Sequence, residues 1–220
     1  RVFLQDSTDE QIASALISAI ESPDNQEAYR KELLQYFDVD GSFQVLLLTC
    51  EGLDAMDTVE RRKLSYRIQM YLEDITHNAS FFYYNSDFVL VANAITEEFL
   101  CQLAEGALKR GKKRMPGLEL CVGIGSKCMD ISQLSVSYQR AKAATHMAMT
   151  HKKQLVKFDE CGLYRLLYMV KDKGILSEIE TECLKELEEY DHKHNAGYVE
   201  TLQSYLKHNG SIQAVAAELY

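Results

Sequence analysis

The chain has 220 residues, 46% hydrophobic and 26% charged, with 11 Gly and 2 Pro, a composition that excludes disorder, a collagen-like repeat and a small disulfide scaffold. Its 33 acids against 24 bases leave a net charge of -9, which excludes a surface given over mainly to polyanion binding. No apolar run approaches the ~20 residues of a spanning helix, and no basic-then-apolar leader opens the chain, so neither a membrane segment nor a signal peptide is expected.

In chain order, Ser7 with Glu10 three residues later reads as a capping box, and Ile12, Leu16, Ala19 and Ile20 continue at helical spacing to about Glu21. Pro23, Asp24 and Asn25 break this helix, and Tyr29, Leu33, Leu34 and Phe37 mark a second short one, so residues 1–41 read as lead-in helices. From Phe43 to Leu48 a continuous apolar run of strand length predicts a buried central strand. Residues 58–76 carry Val59, Leu64, Ile68, Tyr71, Leu72 and Ile75 on one face of a long amphipathic helix. Residues 80–84 and 87–91 are β-rich and separated by Asn85-Ser86, a pair suited to a tight hairpin turn. A helix bearing Phe99, Leu100, Leu103 and Ala107 follows, then a basic turn from Lys109 to Pro116 and a strand from Leu118 to Ile124.

This βαββαβ order predicts an α+β fold, a palm or ferredoxin-like antiparallel sheet with both crossover helices on one face. A helix over 131–149 and a short strand over 154–158 extend the palm, which is expected to span 42–160. Beyond it the pattern is all helical, at about 161–172, 176–190, 197–207 and 211–220, with Gly197, Asn209 and Gly210 as breaks and Ser211 as an N-cap. The expected organisation is therefore a helical linker over 161–196 and a last helical segment over 197–220. The opening Arg1, and a pattern still running at Tyr220, are expected of a piece of a longer chain.

Three stretches resemble one family of bacterial regulators, named after the purine-catabolism regulator PucR and the sugar-diacid regulator CdaR. Near the C-terminus, residues 187–191 (LEEYD) precede Thr201-Leu202-Gln203-Ser204-Tyr205-Leu206, then Asn209-Gly210-Ser211-Ile212-Gln213-Ala214-Val215-Ala216-Ala217-Glu218-Leu219. This run is similar to the family's approach to its helix-turn-helix. Residues 122–125 (VGIG), followed by Leu134, Ser137-Tyr138 and Ala141, resemble its "GIG...L..SY..A" pattern. The βαββαβ frame is the third likeness.

The resemblance implies a GGDEF-like domain, a degenerate relative of diguanylate cyclases, leading into a DNA-binding region. With Phe88 at the motif's Phe, the other four motif positions are Tyr84, Asn85, Ser86 and Asp87, so both glycines are absent. The position at the end of the first strand, where a cyclase has a metal-binding Asp, is Thr49. Metal and close-approach glycines serve phosphoryl transfer, so their loss predicts no catalytic residues, no metal, no cofactor and no enzyme activity. The resemblance also implies that Leu202, Leu206, Ser211, Ile212, Gln213, Ala216 and Leu219 are scaffold positions of an incomplete helix-turn-helix, whose recognition helix begins just beyond Tyr220. DNA is then a partner of the intact protein and not of these residues alone. A homo-oligomer is expected, because paired units read half-sites about 34 to 36 Å apart. A domain outside this sequence would bind the effector metabolite.

Other features have plainer readings. The six cysteines, at 50, 101, 121, 128, 161 and 183, form no CxxC pair or zinc-like cluster, which points to a reduced, cytoplasmic protein. Cys50, Cys101 and Cys121 lie in apolar runs and read as small buried hydrophobes. Lys109, Arg110, Lys112, Lys113 and Arg114 read as a solvated turn, His192 and His194 as part of a polar linker, and Gly123-Ile124-Gly125 as a strand end and not a phosphate loop. Met147, Met149, His146 and His151 do not share one helix face. Asp54, Asp57 and Glu60 suit a helix start.

The leading expectation is a non-catalytic signal-transmission or oligomerisation domain of a cytoplasmic, helix-turn-helix transcription regulator. The alternative is a non-catalytic nucleotide- or metabolite-binding module, for which bulky Tyr84 would close the approach. An active cyclase or nuclease would need clustered carboxylates on the first strand and hairpin.

Overall fold

The computed structural model describes residues 2–162, 164–170, 173–208 and 210–219, and its chain divides into two compact units, 1–165 and 166–220. The expected break at Asn209 lies outside the described residues.

The first unit is built on β1 (Phe43–Thr49), whose seven residues are all buried. Phe43, Val45 and Leu47 enter one apolar cluster, while Leu46 and Leu48 enter another on the opposite face. That double burial is why the strand reads as an unbroken apolar run rather than an alternating one. The strand order is β2-β3-β1-β4-β5, with β2 (Ala79–Tyr84), β3 (Asp87–Asn93), β4 (Cys121–Ile124) and β5 (Leu155–Lys157). The first four are antiparallel neighbours and β5 runs parallel to β4, giving the expected α+β palm with one added strand.

The crossover helices are α3 (Thr58–Glu73) and α4 (Glu97–Arg114). They cover one face through Leu64, Ile68 and Leu72 from α3 and Leu100, Leu103 and Ala107 from α4. Asp57 caps α3, accepting the Val59 and Glu60 N–H groups at 3.0 and 3.4 Å, as its place at a helix start suggests. Two sequence expectations are corrected here. Val59 and Ile75 do not join the buried face, being 56% and 43% exposed. The basic run from Lys109 to Arg114 is not a turn but the last turns of α4, where Gly111 lets Leu120 pack close: a Cβ there would stand 2.1 Å from Leu120 Cδ1.

The other face is covered by α1 (Val2–Glu21), α2 (Gln26–Leu33) and α5 (Leu134–Thr150), the last entered through a 3-10 turn at Ile131–Gln133. Leu16, Ala19, Tyr29 and Leu33 share one core with Val45, Val89, Val91, Leu134 and Ala141, so the lead-in helices are part of the palm's own packing. Ser7 lies inside α1 and is not its cap. Asn93 fixes the loop before β1: its Oδ1 accepts the Asp38 N–H, and its Nδ2 donates to the Asp38 and Ser42 carbonyls.

The second unit consists of α6 (Tyr164–Met169, beginning at the boundary), α7 (Lys173–His194), α8 (Tyr198–Lys207) and α9 (Ile212–Leu219). α7 runs past the expected end at about 190, so His192 and His194 sit in its last turn, and the His194 ring lies 4.3 Å from that of Tyr190. Among the described residues no helix is long and apolar enough to cross a membrane.

Candidate functional site

The β2–β3 hairpin turns on two residues, Asn85 with φ 48° and Ser86 with φ 69°, between the paired Tyr84 and Asp87. Two successive positive φ angles match the right-handed strand twist, which is why two-residue hairpins favour this turn. Asn tolerates the left-handed region, whereas Ser there carries local strain. The hairpin thus keeps a glycine-like backbone with no glycine in it.

Tyr84, at the first glycine position of the motif, has turned into a tether. Its hydroxyl donates to Glu21 Oε1 at 2.8 Å and its ring lies 5.8 Å from that of Tyr138, joining the hairpin to α1 and α5. Partial burial, followed by the Glu21 contact, raises its pKa. Asp87 is 9% exposed and opens β3 next to Thr49, which closes β1: Leu48 pairs with Phe88, and Thr49 pairs with Cys121 on its other side. Burial raises the Asp87 pKa, while the neighbouring Thr49 hydroxyl and the positive field of Lys142 partly offset it.

These residues do not fit a divalent cation. Thr49 offers a hydroxyl where a second carboxylate would be needed, and Lys142 already supplies positive charge near Asp87. Cys50 and Cys121 flank the same strand end but enter opposite apolar clusters, and burial pushes both thiols up to about 11. Such thiols are inert at neutral pH. Among the described residues, no three His, Cys, Asp or Glu side chains converge as a metal-holding group.

Gly123 and Gly125 serve packing. A Cβ on Gly123 would stand 2.2 Å from the Thr145 nitrogen, and one on Gly125 would stand 2.1 Å from the Ser137 carbonyl oxygen, so both glycines admit α5 against the sheet. Ser137 Oγ accepts the Val45 N–H at 2.9 Å, and Gln44 Nε2 donates to the Gly125 carbonyl at 2.8 Å. The spaced Gly-Ile-Gly, Ser-Tyr and Ala pattern is therefore one helix-on-strand joint.

In the second unit, α8 and α9 meet across Gly210, at φ 84°, and Ser211 Oγ accepts the Ala214 N–H at 3.4 Å as an N-cap. The spacing of Leu202, Leu206, Ile212, Ala216 and Leu219 predicts that the hydrophobic faces of the two helices pack together through them, and the structure does not bury that set. Leu206 and Ile212 are 67% and 76% exposed, Gln213 and Ala216 are exposed, and Leu202 and Leu219 are half-buried. The buried positions are Ser204 and Val215. A polar latch does much of the joining: Glu218 accepts from Ser204 Oγ at 2.5 Å, pairs with Lys207, and lies 2.9 Å from His208 Nε2. The Lys207 and Ser204 contacts draw its carboxyl down to about 2. Asp191 of α7 caps α8 from a distance, accepting the Tyr198 and Val199 N–H groups at 2.9 Å each. Sequence reading missed both acids, since neither stands at a local capping position.

Comparison with known proteins agrees with this architecture. The profile of the GGDEF-like domain family matches residues 19–147. The chain is also similar to the DNA-binding transcriptional activator AdeR of Bacillus subtilis (strain 168), 28% identical over 121 residues that cover 53% of this chain and 28% of that protein. The chain thus spans less than a third of the relative's length.

Proposed function

This chain belongs to the GGDEF-like domain family, and we propose that it is the non-catalytic palm of a bacterial transcription regulator, followed by the opening helices of a PucR/CdaR-type helix-turn-helix. The palm serves transmission and self-association in the cytosol, and an effector is read by a domain outside these residues. The observation that carries the non-catalytic reading is a single buried carboxylate, Asp87, at the strand end beside Thr49, beneath a turn whose glycine positions hold Tyr84 and Asn85. Phosphoryl transfer needs charge neutralisation at the nucleotide, and a lone desolvated carboxylate is poorly suited to recruit it. Tyr84, bonded to Glu21, also counts against a nucleotide-holding module.

Support for DNA as a partner comes from the likeness to a protein named as a DNA-binding activator and from the exposed Leu206 and Ile212 of the α8–α9 pair. An apolar face of that kind suits cover by a third helix, the recognition helix of the motif.

Two measurements test this reading. Incubation of the chain with GTP and magnesium or manganese should yield no cyclic dinucleotide; product forming above a blank in proportion to protein would overturn it. Gel-shift titration at two salt concentrations should show no salt-resistant duplex binding by the 220-residue chain, while a chain extended by about 30 residues through the recognition helix should bind its operator. Tight, sequence-selective binding by the shorter chain would place DNA recognition elsewhere.

A further inference from the structure

We infer that the solvent face of α3, with the C-terminal half of α4 beside it, is a docking surface for an acidic amphipathic helix of a protein partner. α3 turns Leu64, Ile68 and Leu72 into the core, and the opposite side of the same helix carries Val59, Tyr66 and Met70, which are 56%, 62% and 39% exposed. Spaced seven and four residues apart, they form one column about 16 Å long. Arg62, Lys63 and Arg67 flank the column on α3. The neighbouring helix adds exposed Lys109, Lys112 and Lys113, and the two helices are in close contact: a Cβ on Gly111 would lie 3.6 Å from Leu64 Cδ1.

The charge of this face is opposite to that of the chain. α3 and α4 together hold nine Lys and Arg against five Glu, in a protein with 24 bases and 33 acids. Two of the arginines have structural duties, with Arg61 4.5 Å over the Tyr83 ring and Arg110 3.7 Å over the Tyr71 ring. Among the described residues, no ion pair engages Arg62, Arg67, Lys109, Lys112 or Lys113.

Complementarity selects the occupant. A second copy offering the same face would set base against base. A nucleic-acid backbone would answer the charges but leave Val59 and Met70 without apolar contact. A helix with apolar residues at i, i+3, i+4 and i+7 and acids on its flanks answers both, the helix-on-surface mode in which apolar anchors hold and charge steers. This surface is separate from the helix-turn-helix reading and does not depend on it.

The test uses the full chain and a fluorescein-labelled peptide of about 18 residues, five turns of helix, with Leu along one face and Glu on the others. Controls are the same peptide with Lys for Glu and a random duplex of about two helical turns. Anisotropy should show saturable binding of the Glu peptide that weakens as salt rises, and no binding of the Lys peptide. The double variants Tyr66→Ser/Met70→Ser and Arg62→Glu/Arg67→Glu should each bind at least about tenfold more weakly with an unchanged melting temperature, because these side chains are exposed. Lys109→Glu/Lys113→Glu gives an independent check on α4. Failure of the Glu peptide to bind, equal binding by all variants, or binding of the duplex in its place would overturn the proposal.

Discussion

The palm and the α8–α9 pair hold themselves together by different means. In the palm, apolar side chains from five helices and five strands fill both faces of a sheet whose central strand is wholly buried. In the α8–α9 pair only Ser204 and Val215 are buried, and the joint is made by Glu218 reaching Ser204, Lys207 and His208. Burial of apolar surface involves no titrating group and is not screened by salt, whereas an exposed ionic latch titrates and is screened. The two regions should therefore respond to different perturbations.

The largest effect is expected in the palm. Gly123→Ala places a methyl group against the α5 backbone, which cannot swing aside as a side chain would. Overpacking of this kind costs about 1–3 kcal/mol, and a backbone neighbour puts it near the top of that range. Urea unfolding of the palm should show the loss, with the α8–α9 amides keeping their hydrogen-exchange rates. A neutral substitution would mean that α5 does not seat on β4.

A smaller effect is expected at the strand ends. Thr49→Val replaces the polar neighbour that favours ionised Asp87 by an apolar one and should destabilise by roughly 1–3 kcal/mol, the usual cost of leaving a buried polar group poorly served. Asp87→Asn should act in the opposite direction. Because the Asp87 pKa is raised in the fold, its ionised form opposes folding. That penalty is absent below the unfolded carboxyl pKa and grows as pH rises through the folded one. The variant should thus melt higher than the parent at pH 7, with the gap closing in acid; a lower melting point at pH 7 would show that Lys142 and Thr49 outweigh burial.

At the α8–α9 pair the lever is acid. The Glu218 carboxyl falls from an ordinary 4.5 to about 2, so its contribution is complete above the unfolded value and is lost as pH falls from about 4.5 towards 2. Exchange of the α8 and α9 amides should quicken over that range, and Glu218→Gln should abolish the dependence. Ile212→Ser should have the least effect, within about 0.5 kcal/mol, because its side chain is already in water. A clear loss of stability would sharpen the contrast the other way, revealing an apolar contact at Ile212.

How much of this could be read in the sequence follows the same division. The βαββαβ order was legible because β1 is an unbroken apolar run, Asn85-Ser86 marks a two-residue turn, and the α3 and α4 core positions repeat at helical spacing. The Thr49 and Asp87 positions were legible as departures from a motif, but their juxtaposition is made by strand register between distant residues. The Asp191 and Glu218 contacts were not legible, since an acid capping another helix leaves no local spacing signal. Leu206 and Ile212 were misread because apolar periodicity reports which residues share a face, not whether anything covers it. The run from Lys109 to Arg114 was misread because a cluster of exposed bases looks the same in a solvated turn and in the last turns of a helix.

The placement of β1 also governs how the palm can form on the ribosome. The strand is made first, yet its two partners come much later: Phe43 pairs with Asn93 and Leu46 with Ile124. At roughly 5–20 residues per second, the most apolar segment of the palm waits several seconds for β4 to emerge. During that interval α1 and α2, already made, are the segments able to shelter its Phe43, Val45 and Leu47 side, which they share in the finished core. The N-terminal helices thus act as a holding surface for an unfinished sheet. Their removal should reduce the yield of soluble chain during synthesis by more than the loss of equilibrium stability alone would account for.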